Sequence, residues 1–206
     1  GSNILGGVLD SPTAYDYYSG TSMATPNYSG AMAVLLSQHL GDEEWRETLN
    51  ARLMSTAEPM KDKFGTNFES VRKQGAGLLN LESAFDSDVV LFTKGSTKKA
   101  KIEIGNDASL QEGELNLSFD AVNYSDSDIT YSATVYVYRP ALAQVNNENY
   151  ADLMGVNYQA TYEKLIDTHT FDGIIVPAGE LHTIDLGFSL NSDELEVIND
   201  EFEYGC

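Results

Sequence analysis

Cysteine is nearly absent from this sequence of 206 residues, in which Cys206 is the only one. An internal disulfide is therefore excluded, and so are the paired Cys-x-x-Cys motifs of zinc and redox sites. Histidine is almost as scarce. His39, His169 and His182 are too far apart for the short His spacings of a metal-binding helix, so we interpret each as a surface or half-buried residue.

Basic residues are also few. The sequence has 12 Lys and Arg and 32 Asp and Glu, which gives a formal net charge of −20. Residues 1–86 carry a net charge of −5 and residues 87–206 carry −15. A surface of this sign repels phosphate groups, which argues against nucleic acids and anionic membranes as partners. We interpret the acidity as a solubility feature, because the D-x-[DN]-x-[DN]-G pattern of a calcium loop is absent.

Long apolar runs are missing as well, and no stretch reaches the roughly 18 apolar residues that predict a membrane-spanning helix. The first residues show neither an initiator Met nor the charged and then apolar pattern of a signal peptide. The sequence nevertheless has 42% hydrophobic and 10% aromatic residues, which is enough for a folded core. We therefore expect an excised piece of a longer globular protein, with one or two domains.

The pattern between residues 19 and 40 predicts a long helix. Gly20-Thr21-Ser22 supplies a turn and an N-cap candidate, and Pro26 is placed at the end of the first turn. A nearly unbroken run of small and apolar residues follows over 31–36, so we expect the helix to be buried on nearly every side. Gly41 is a typical helix stop.

The next segment predicts a second helix and a series of short elements. The helix begins near Asp42, and one apolar face repeats at helical spacing through Trp45, Leu49, Leu53 and Met54. Downstream we predict a polar loop over residues 61–74 and a turn over 74–77. A short strand over 78–81 and a last helical turn over 82–85 are expected to follow.

After about residue 87 the apolar pattern changes from helical spacing to the alternation of strands. Apolar residues alternate over 115–121 and again over 131–137, with a turn cluster between them at 123–128. An acidic surface helix is expected over 191–202. Further strands are predicted by the apolar runs at 89–92, 174–176 and 181–188. Several short strands separated by turns predict a β-sandwich.

One string in the first half indicates a specific chemistry. Residues 20–26, Gly-Thr-Ser-Met-Ala-Thr-Pro, match consecutive positions of the pattern G-T-S-M-A-[TS]-P-H. This string resembles the nucleophile segment of the subtilisin-like serine proteases. Asn3-Ile4-Leu5 resembles the strand that precedes that segment, and residues 75–80 resemble the turn and strand that close the family's catalytic domain. The resemblance covers residues 1–86 and implies the C-terminal part of an α/β catalytic domain.

The resemblance implies that Ser22 is the acylating nucleophile. A serine hydroxyl needs a base to remove its proton, and it needs hydrogen-bond donors aimed at the developing oxyanion. At a helix N-terminus the N–H of Ser22 is free and the helix dipole favours negative charge. In the family, the residue at Met23 borders the pocket for the residue after the scissile bond. The nucleophile motif is completed by Gly20, Thr21, Met23, Ala24, Thr25 and Pro26.

The sequence departs from the family pattern in two respects. Asn27 replaces the usual His, which is not the triad base. The family's triad runs Asp, His and then Ser, yet no residue before Ser22 can supply the Asp, the His or the Asn of the oxyanion hole. Taken alone, Ser22 fits an ordinary helix N-cap, and the surrounding match is what favours the nucleophile.

Other candidates near the motif have plainer interpretations. Asp10 and Asp16 could be offered as triad acids, but solvated loop charges are favoured. Three tyrosines could line a substrate cleft or pack half-buried beside the motif, namely Tyr15, Tyr17 and Tyr18. Three Asn-x-Ser glycosylation patterns, which we interpret as chance matches, begin at Asn27, Asn116 and Asn123.

The second half is similar to the fibronectin type III-like domain that follows the catalytic domain in lactocepin-type cell-envelope proteinases of Gram-positive bacteria. The signs are a β-rich segment directly after the closing turn, and Val-Pro-Ala-Gly at 176–179 followed by Thr-Ile-Asp-Leu at 183–186. We therefore predict an all-β sandwich over 87–206, truncated at its C-terminus, after the α/β segment over 1–86.

The resemblance implies a secreted or cell-wall-associated serine endopeptidase that hydrolyses proteins or peptides. Its chemistry needs no cofactor, and although structural calcium is common in the family, no ligand can be assigned here. The chain alone is predicted to be inactive, because it lacks the triad Asp and His. The alternative is a catalytically inactive remnant whose β-domain binds partners or supports the cell wall.

Overall fold

The computed structural model describes residues 1–9, 11–62, 67–96, 98–105, 112–142, 144–145, 148–149 and 161–199. Asp10 and Cys206 lie outside the described residues, as does the end of the predicted acidic helix. The described chain has an α/β first half and a β-rich second half, in the order that the sequence pattern predicts.

The first half begins with a hairpin and continues with helices. Strands β1 (Ile4–Gly7) and β2 (Tyr15–Tyr18) pair antiparallel. The helices that follow are α1 (Thr21–Gln38), α2 (Glu43–Ser55), α3 (Val71–Gln74) and α4 (Leu81–Asp86). The helices predicted over 19–40, after Asp42 and over 82–85 are confirmed.

The caps of α1 and α2 are of different kinds. Asp42 caps α2 in the ordinary way, since its Oδ1 accepts a hydrogen bond from the N–H of Trp45 at 3.0 Å. The N-cap of α1 is Gly20, and no side chain caps this helix. Ser22 is therefore not the cap that its residue type suggested. Pro26 consequently lies in the second turn of α1 and not at the end of the first.

Helix α1 is less buried than its composition predicts. Among its residues only Ala31 and Leu35 are buried, and Val34 is 55% exposed. Helices α2 and α4 pack against it. Leu35 meets Leu49, Leu53 and Ala84 in a small buried cluster at this contact.

The segment between α2 and α4 also differs from expectation. Helix α3 lies within the predicted loop 61–74. The predicted strand 78–81 is reduced to a single bridge, in which Leu78 pairs with Glu58. The strand ends there because Asn80 caps α4 through its side chain, which accepts from the N–H of Ser83 at 2.9 Å.

The second half is built from antiparallel strands. One sheet has the order β3-β4-β9, and its strands are β3 (Val89–Thr93), β4 (Glu114–Asn123) and β9 (Leu181–Ser189). The second sheet pairs β5 (Ile129–Leu142) with β8 (Thr161–Val176). A small pair, β6 (Gln144–Val145) with β7 (Glu148–Asn149), lies between them in sequence, and α5 (Ser192–Asn199) follows β9.

A shared apolar core joins the two larger sheets. Val176 on β8 is fully buried against residues of β3, β4 and β9, namely Val89, Ala121, Ile184 and Leu186. Five partly buried residues of the second sheet complete this core, namely Ile129, Ala133, Val135, Phe171 and Ile174. Two facing antiparallel sheets are what the alternation predicts, whereas the likeness to fibronectin type III stays a prediction.

Helix α2 packs against β3, so the two halves of the chain share a seam. Ala51 of α2 forms a buried cluster with Val90 and Phe92 of β3. Ser55 at the end of α2 accepts the N–H of Leu91 at 3.0 Å, and its own hydroxyl donates to the carbonyl of Ala51 at 2.6 Å. The predicted boundary near residue 87 therefore falls beside a packed surface.

A column of stacked side chains extends this seam. The guanidinium of Arg52, which is 5% exposed, lies 4.2 Å from the ring centre of Trp45 and 4.5 Å from that of Tyr124. The ring of Trp45 also stacks on His39, with centroids 3.6 Å apart and planes 9° apart. Four side chains thus link the end of α1, through α2, to the residue that follows β4.

Candidate functional site

Ser22 lies exposed in the first turn of α1. The helix starts directly after Gly20, whose backbone has φ 148° and ψ 174°, a conformation that is essentially restricted to glycine. The N–H of Gly20 donates to the carbonyl of Gly1 at 2.8 Å, and its own carbonyl accepts from the nitrogen of Gly1 at 3.0 Å. The position of the motif is therefore fixed by its backbone, which the sequence pattern does not reveal.

The start of α1 offers backbone donors next to Ser22. The first bonds inside the helix run from the N–H groups of Met23 and Ala24 to the carbonyl of Gly20, both at 3.2 Å. The amides of Thr21 and Ser22 come before these bonds and have no acceptor within the helix. Because the helix dipole adds partial positive charge here, these amides suit an oxyanion that forms beside the Ser22 hydroxyl.

Two side chains hold the carbonyls of this turn. Thr25 Oγ1 donates to the carbonyl of Thr21 at 3.0 Å, and Asn27 Nδ2 donates to the carbonyl of Met23 at 2.7 Å. In the sequence, Asn27 is a departure from the family pattern and the start of an Asn-x-Ser pattern, and its contact with Met23 was not predicted, although the four-residue spacing is the signal for it.

An open groove of about 750 Å³ lies between the hairpin and the helix. It is lined by residues 4–9, Tyr18, Met23, Pro26 and Asn27. The residue that follows Ser22 is therefore on the groove wall, together with one of the three tyrosines that were considered for a cleft.

The hairpin residues before the motif are exposed. Tyr15, Tyr17 and Tyr18 are 66%, 60% and 44% exposed, so the half-buried alternative for them is wrong. They project from a two-stranded sheet, and such a ribbon has no second layer of its own to cover them. The Asp16 carboxylate accepts only the N–H of the adjacent Tyr17, at 2.7 Å, among the contacts of the described chain.

The three histidines lie away from Ser22. His39 is at the far end of α1, about 25 Å away at a rise of 1.5 Å per residue. His169 lies on β8, where its Nε2 is 2.8 Å from a carboxylate oxygen of Asp167, and His182 is exposed on β9. Their predicted surface or half-buried positions are confirmed. The described chain thus brings no imidazole to the Ser22 hydroxyl.

Asn123, in one of the glycosylation patterns, has a structural role. Its side chain is fully buried, and its Nδ2 donates to the carbonyls of Ser127 at 2.9 Å and Val176 at 3.0 Å. The bonds tie the turn after β4 to the end of β8. Because a glycan needs an accessible amide, this position agrees with a chance match.

The described residues contain neither a metal-binding cluster nor a membrane-spanning helix. No group of three or more His, Cys, Asp and Glu side chains in that part of the chain is arranged to hold a metal ion. Within the same residues, no helix has the length and apolar character needed to cross a bilayer.

Comparison with known proteins connects this geometry to a family. Residues 6–77 match the family model of the subtilases, Peptidase S8. The chain is 26% identical over 186 residues to C5a peptidase of Streptococcus pyogenes. The aligned segment covers 86% of this chain and 15% of that protein. It is 31% identical over 146 residues to the minor extracellular protease Vpr of Bacillus subtilis strain 168. That aligned segment covers 64% of this chain and 17% of that protein.

The family match includes the motif, and the similarity to C5a peptidase continues beyond it. The family match contains residues 20–26, and a similarity over 86% of the chain necessarily includes strands of the second half. The chain spans less than a fifth of the length of the relatives, with 15% and 17% of them covered. The homology thus relates this protein to serine peptidases.

Proposed function

We propose, from the subtilase homology of residues 6–77, that this chain is part of a secreted serine endopeptidase and that Ser22 is its acylating nucleophile. The observation that carries this proposal is the exposed position of Ser22 in the first turn of α1, beside amides that have no acceptor within the helix. A serine that served only as a cap would stand at the N-cap, which here is Gly20.

In the proposed reaction, Ser22 Oγ attacks the carbonyl carbon of the scissile peptide bond while a His base takes the hydroxyl proton. The carbonyl oxygen becomes an oxyanion, which the N–H of Ser22 stabilises. The same His, now protonated, gives the proton to the leaving amine as the C–N bond breaks. Water then hydrolyses the acyl-enzyme and restores Ser22. The His and its orienting Asp come from residues other than these 206.

The other motif residues have supporting roles in this proposal. Gly20 provides the backbone turn that exposes Ser22, and Met23 borders the site on the leaving-group side. Thr25 holds the carbonyl of Thr21. The chemistry uses no cofactor, and calcium in the larger protein would be structural.

The proposed substrates are proteins or peptides, and the proposed location is extracellular or at the cell wall of a Gram-positive bacterium. The name of the relative Vpr, an extracellular protease, supports this location. The net charge of −20 disfavours nucleic acid as a partner. The second half, over residues 87–206, frames the catalytic part without a catalytic residue of its own.

The test is Ser22→Ala in the longer protein that contains this chain. We expect turnover of casein to fall by about 10⁴-fold or more, because the covalent step is lost. Melting temperature is expected to stay near that of the parent, since Ser22 caps nothing. Ser29→Ala, an exposed change on the same helix, is the matched control and should keep parental turnover. Parental turnover in Ser22→Ala would end the assignment.

One observation favours a second candidate, an inactive subtilase relative that acts as a binding or structural module at the cell surface. None of the three histidines lies near Ser22. A fluorophosphonate probe separates the two candidates. Labelling of Ser22 in the longer protein, and none in the isolated 206 residues, supports the enzyme, whereas no labelling in either supports the module.

A further inference from the structure

The hydrogen-bond ladder of α1 has a gap at Ser22. Pro26 lies inside the helix and has no N–H, so the carbonyl of Ser22 lacks the donor that an α-helix would normally provide. A proline inside a helix kinks or loosens the turn before it. The turn affected here is the one that carries Ser22.

Two side chains bridge this gap, one on each side. The Thr25 hydroxyl donates to the carbonyl of Thr21 at 3.0 Å, and the Asn27 amide donates to the carbonyl of Met23 at 2.7 Å. Both bonds run back by four residues, which is the direction of the backbone bonds in the helix. The carbonyls before and after that of Ser22 are therefore each held by a side chain, across the break that Pro26 makes.

We propose that Asn27 is a positioning residue for the reaction of Ser22, and that it acts through the carbonyl of Met23. The proposal rests on the proposed function of Ser22. By holding the peptide group of Met23, the Asn27 amide keeps the first turn closed, and it thereby fixes the direction of the Ser22 N–H and hydroxyl. Catalytic geometry of this kind is sensitive to displacements of about 1 Å. Asn27 stands where the family pattern has His.

Two variants of the longer protein remove the donor and keep a branched side chain: Asn27→Leu, which is larger than Asn, and Asn27→Asp, which has nearly the same volume. The Asp variant replaces the amide donor with a carboxylate, which can only accept hydrogen bonds, so the contact with the carbonyl of Met23 is lost. Asn27 is exposed, and global stability is therefore expected to change little. Ser37→Ala is the matched control, because Ser37 Oγ donates to the carbonyl of Val34 at 2.7 Å near the other end of the same helix.

We expect kcat and the rate of fluorophosphonate labelling to fall about tenfold or more in both Asn27 variants, with KM within about twofold of the parent value. Ser37→Ala should leave both rates unchanged. Asn27→His, whose ring N–H can donate to the same carbonyl, should recover kcat to within about threefold of the parent. A purely structural Asn27 would lower the melting temperature and leave the labelling rate unchanged.

Amide hydrogen exchange provides a readout that does not depend on activity. Exchange over residues 22–27 should be faster in Asn27→Leu and Asn27→Asp than in the parent and in Ser37→Ala. If Ser22→Ala is inactive, then a parental kcat or a parental exchange rate in both Asn27 variants overturns the positioning role of Asn27. The assignment of Ser22 as the nucleophile then still stands. If Ser22→Ala keeps its turnover, the nucleophile fails first and this proposal fails with it.

Discussion

Asp120 is a buried carboxylate that is stabilised mainly by neutral donors. Its Oδ2 accepts the N–H of Gly95 at 2.8 Å, and its Oδ1 accepts the hydroxyl of Thr183 at 2.8 Å. The Gly95 bond is the main reason that the pKa of Asp120 lies below its ordinary value, and the Thr183 bond and the charge of Lys94 add to it. These contacts connect the loop after β3 with β4 and β9, and they favour the ionised form.

The lowered pKa of Asp120 predicts acid sensitivity. Its stabilising contribution is present above the unfolded-state pKa of about 4 and is lost as the pH falls through the lower folded-state pKa. We expect Asp120→Asn to have a lower free energy of unfolding than the parent at pH 7. Between about pH 5 and pH 2, this free energy should fall less in the variant than in the parent. Urea unfolding at several pH values measures this. The control is Asp185→Asn, an exposed position on β9, and an equal acid loss in parent and Asp120→Asn contradicts the assignment.

At the scale of elements, periodicity predicted most of the fold. The apolar alternation over 115–121 became β4, and the helical spacing after Asp42 became α2, because local patterns report which face of an element is buried. The sequence did not decide between Gly20 and Ser22 as the N-cap of α1, because both residue types are common at that position. Contacts between distant elements, such as the column at Arg52, leave no mark in a local pattern.

The column at Arg52 predicts a loss of stability at alkaline pH. The pKa of Tyr124 is raised, first by desolvation and then by the charge of Glu44, so folding favours the neutral phenol. The stabilisation is complete below the unfolded-state pKa of about 10 and is lost as the pH rises through the higher folded-state pKa. Tyr124→Phe should therefore flatten the fall in melting temperature above about pH 10. Tyr15→Phe on the exposed hairpin is the control, and an unchanged slope in Tyr124→Phe contradicts this account.

On the scale of the whole molecule, the two halves differ in how much apolar surface they cover. Helix α1 leaves Val34 exposed, and the hairpin before it exposes Leu5 and three tyrosines. The facing sheets of the second half enclose their own core. The halves are nevertheless joined by the seam, where Val90 is 0% and Phe92 is 3% exposed.

Limited proteolysis of the isolated chain is expected to degrade residues 1–86 first and to leave a fragment that begins between residues 86 and 100. A fragment that begins before Val89 should bind a hydrophobic dye, because removing α2 uncovers Val90 and Phe92. Mass spectrometry of the products gives the boundary, and Phe92→Ser, made in the fragment, should reduce dye binding. A surviving fragment that contains Ser22 and lacks the strands contradicts both the boundary and the ranking of the halves.

The stacking of Trp45 has an optical consequence. Trp45 is the only tryptophan in the sequence, and it lies against both His39 and the Arg52 guanidinium. Nearly all emission excited at long ultraviolet wavelengths therefore comes from a single fluorophore in the seam. A fluorescence trace would report the loss of the column that runs from His39 to Tyr124, whereas far-ultraviolet circular dichroism would report the helices and strands of both halves. A fluorescence change that precedes the loss of circular dichroism would then show that this column comes apart before the secondary structure unfolds.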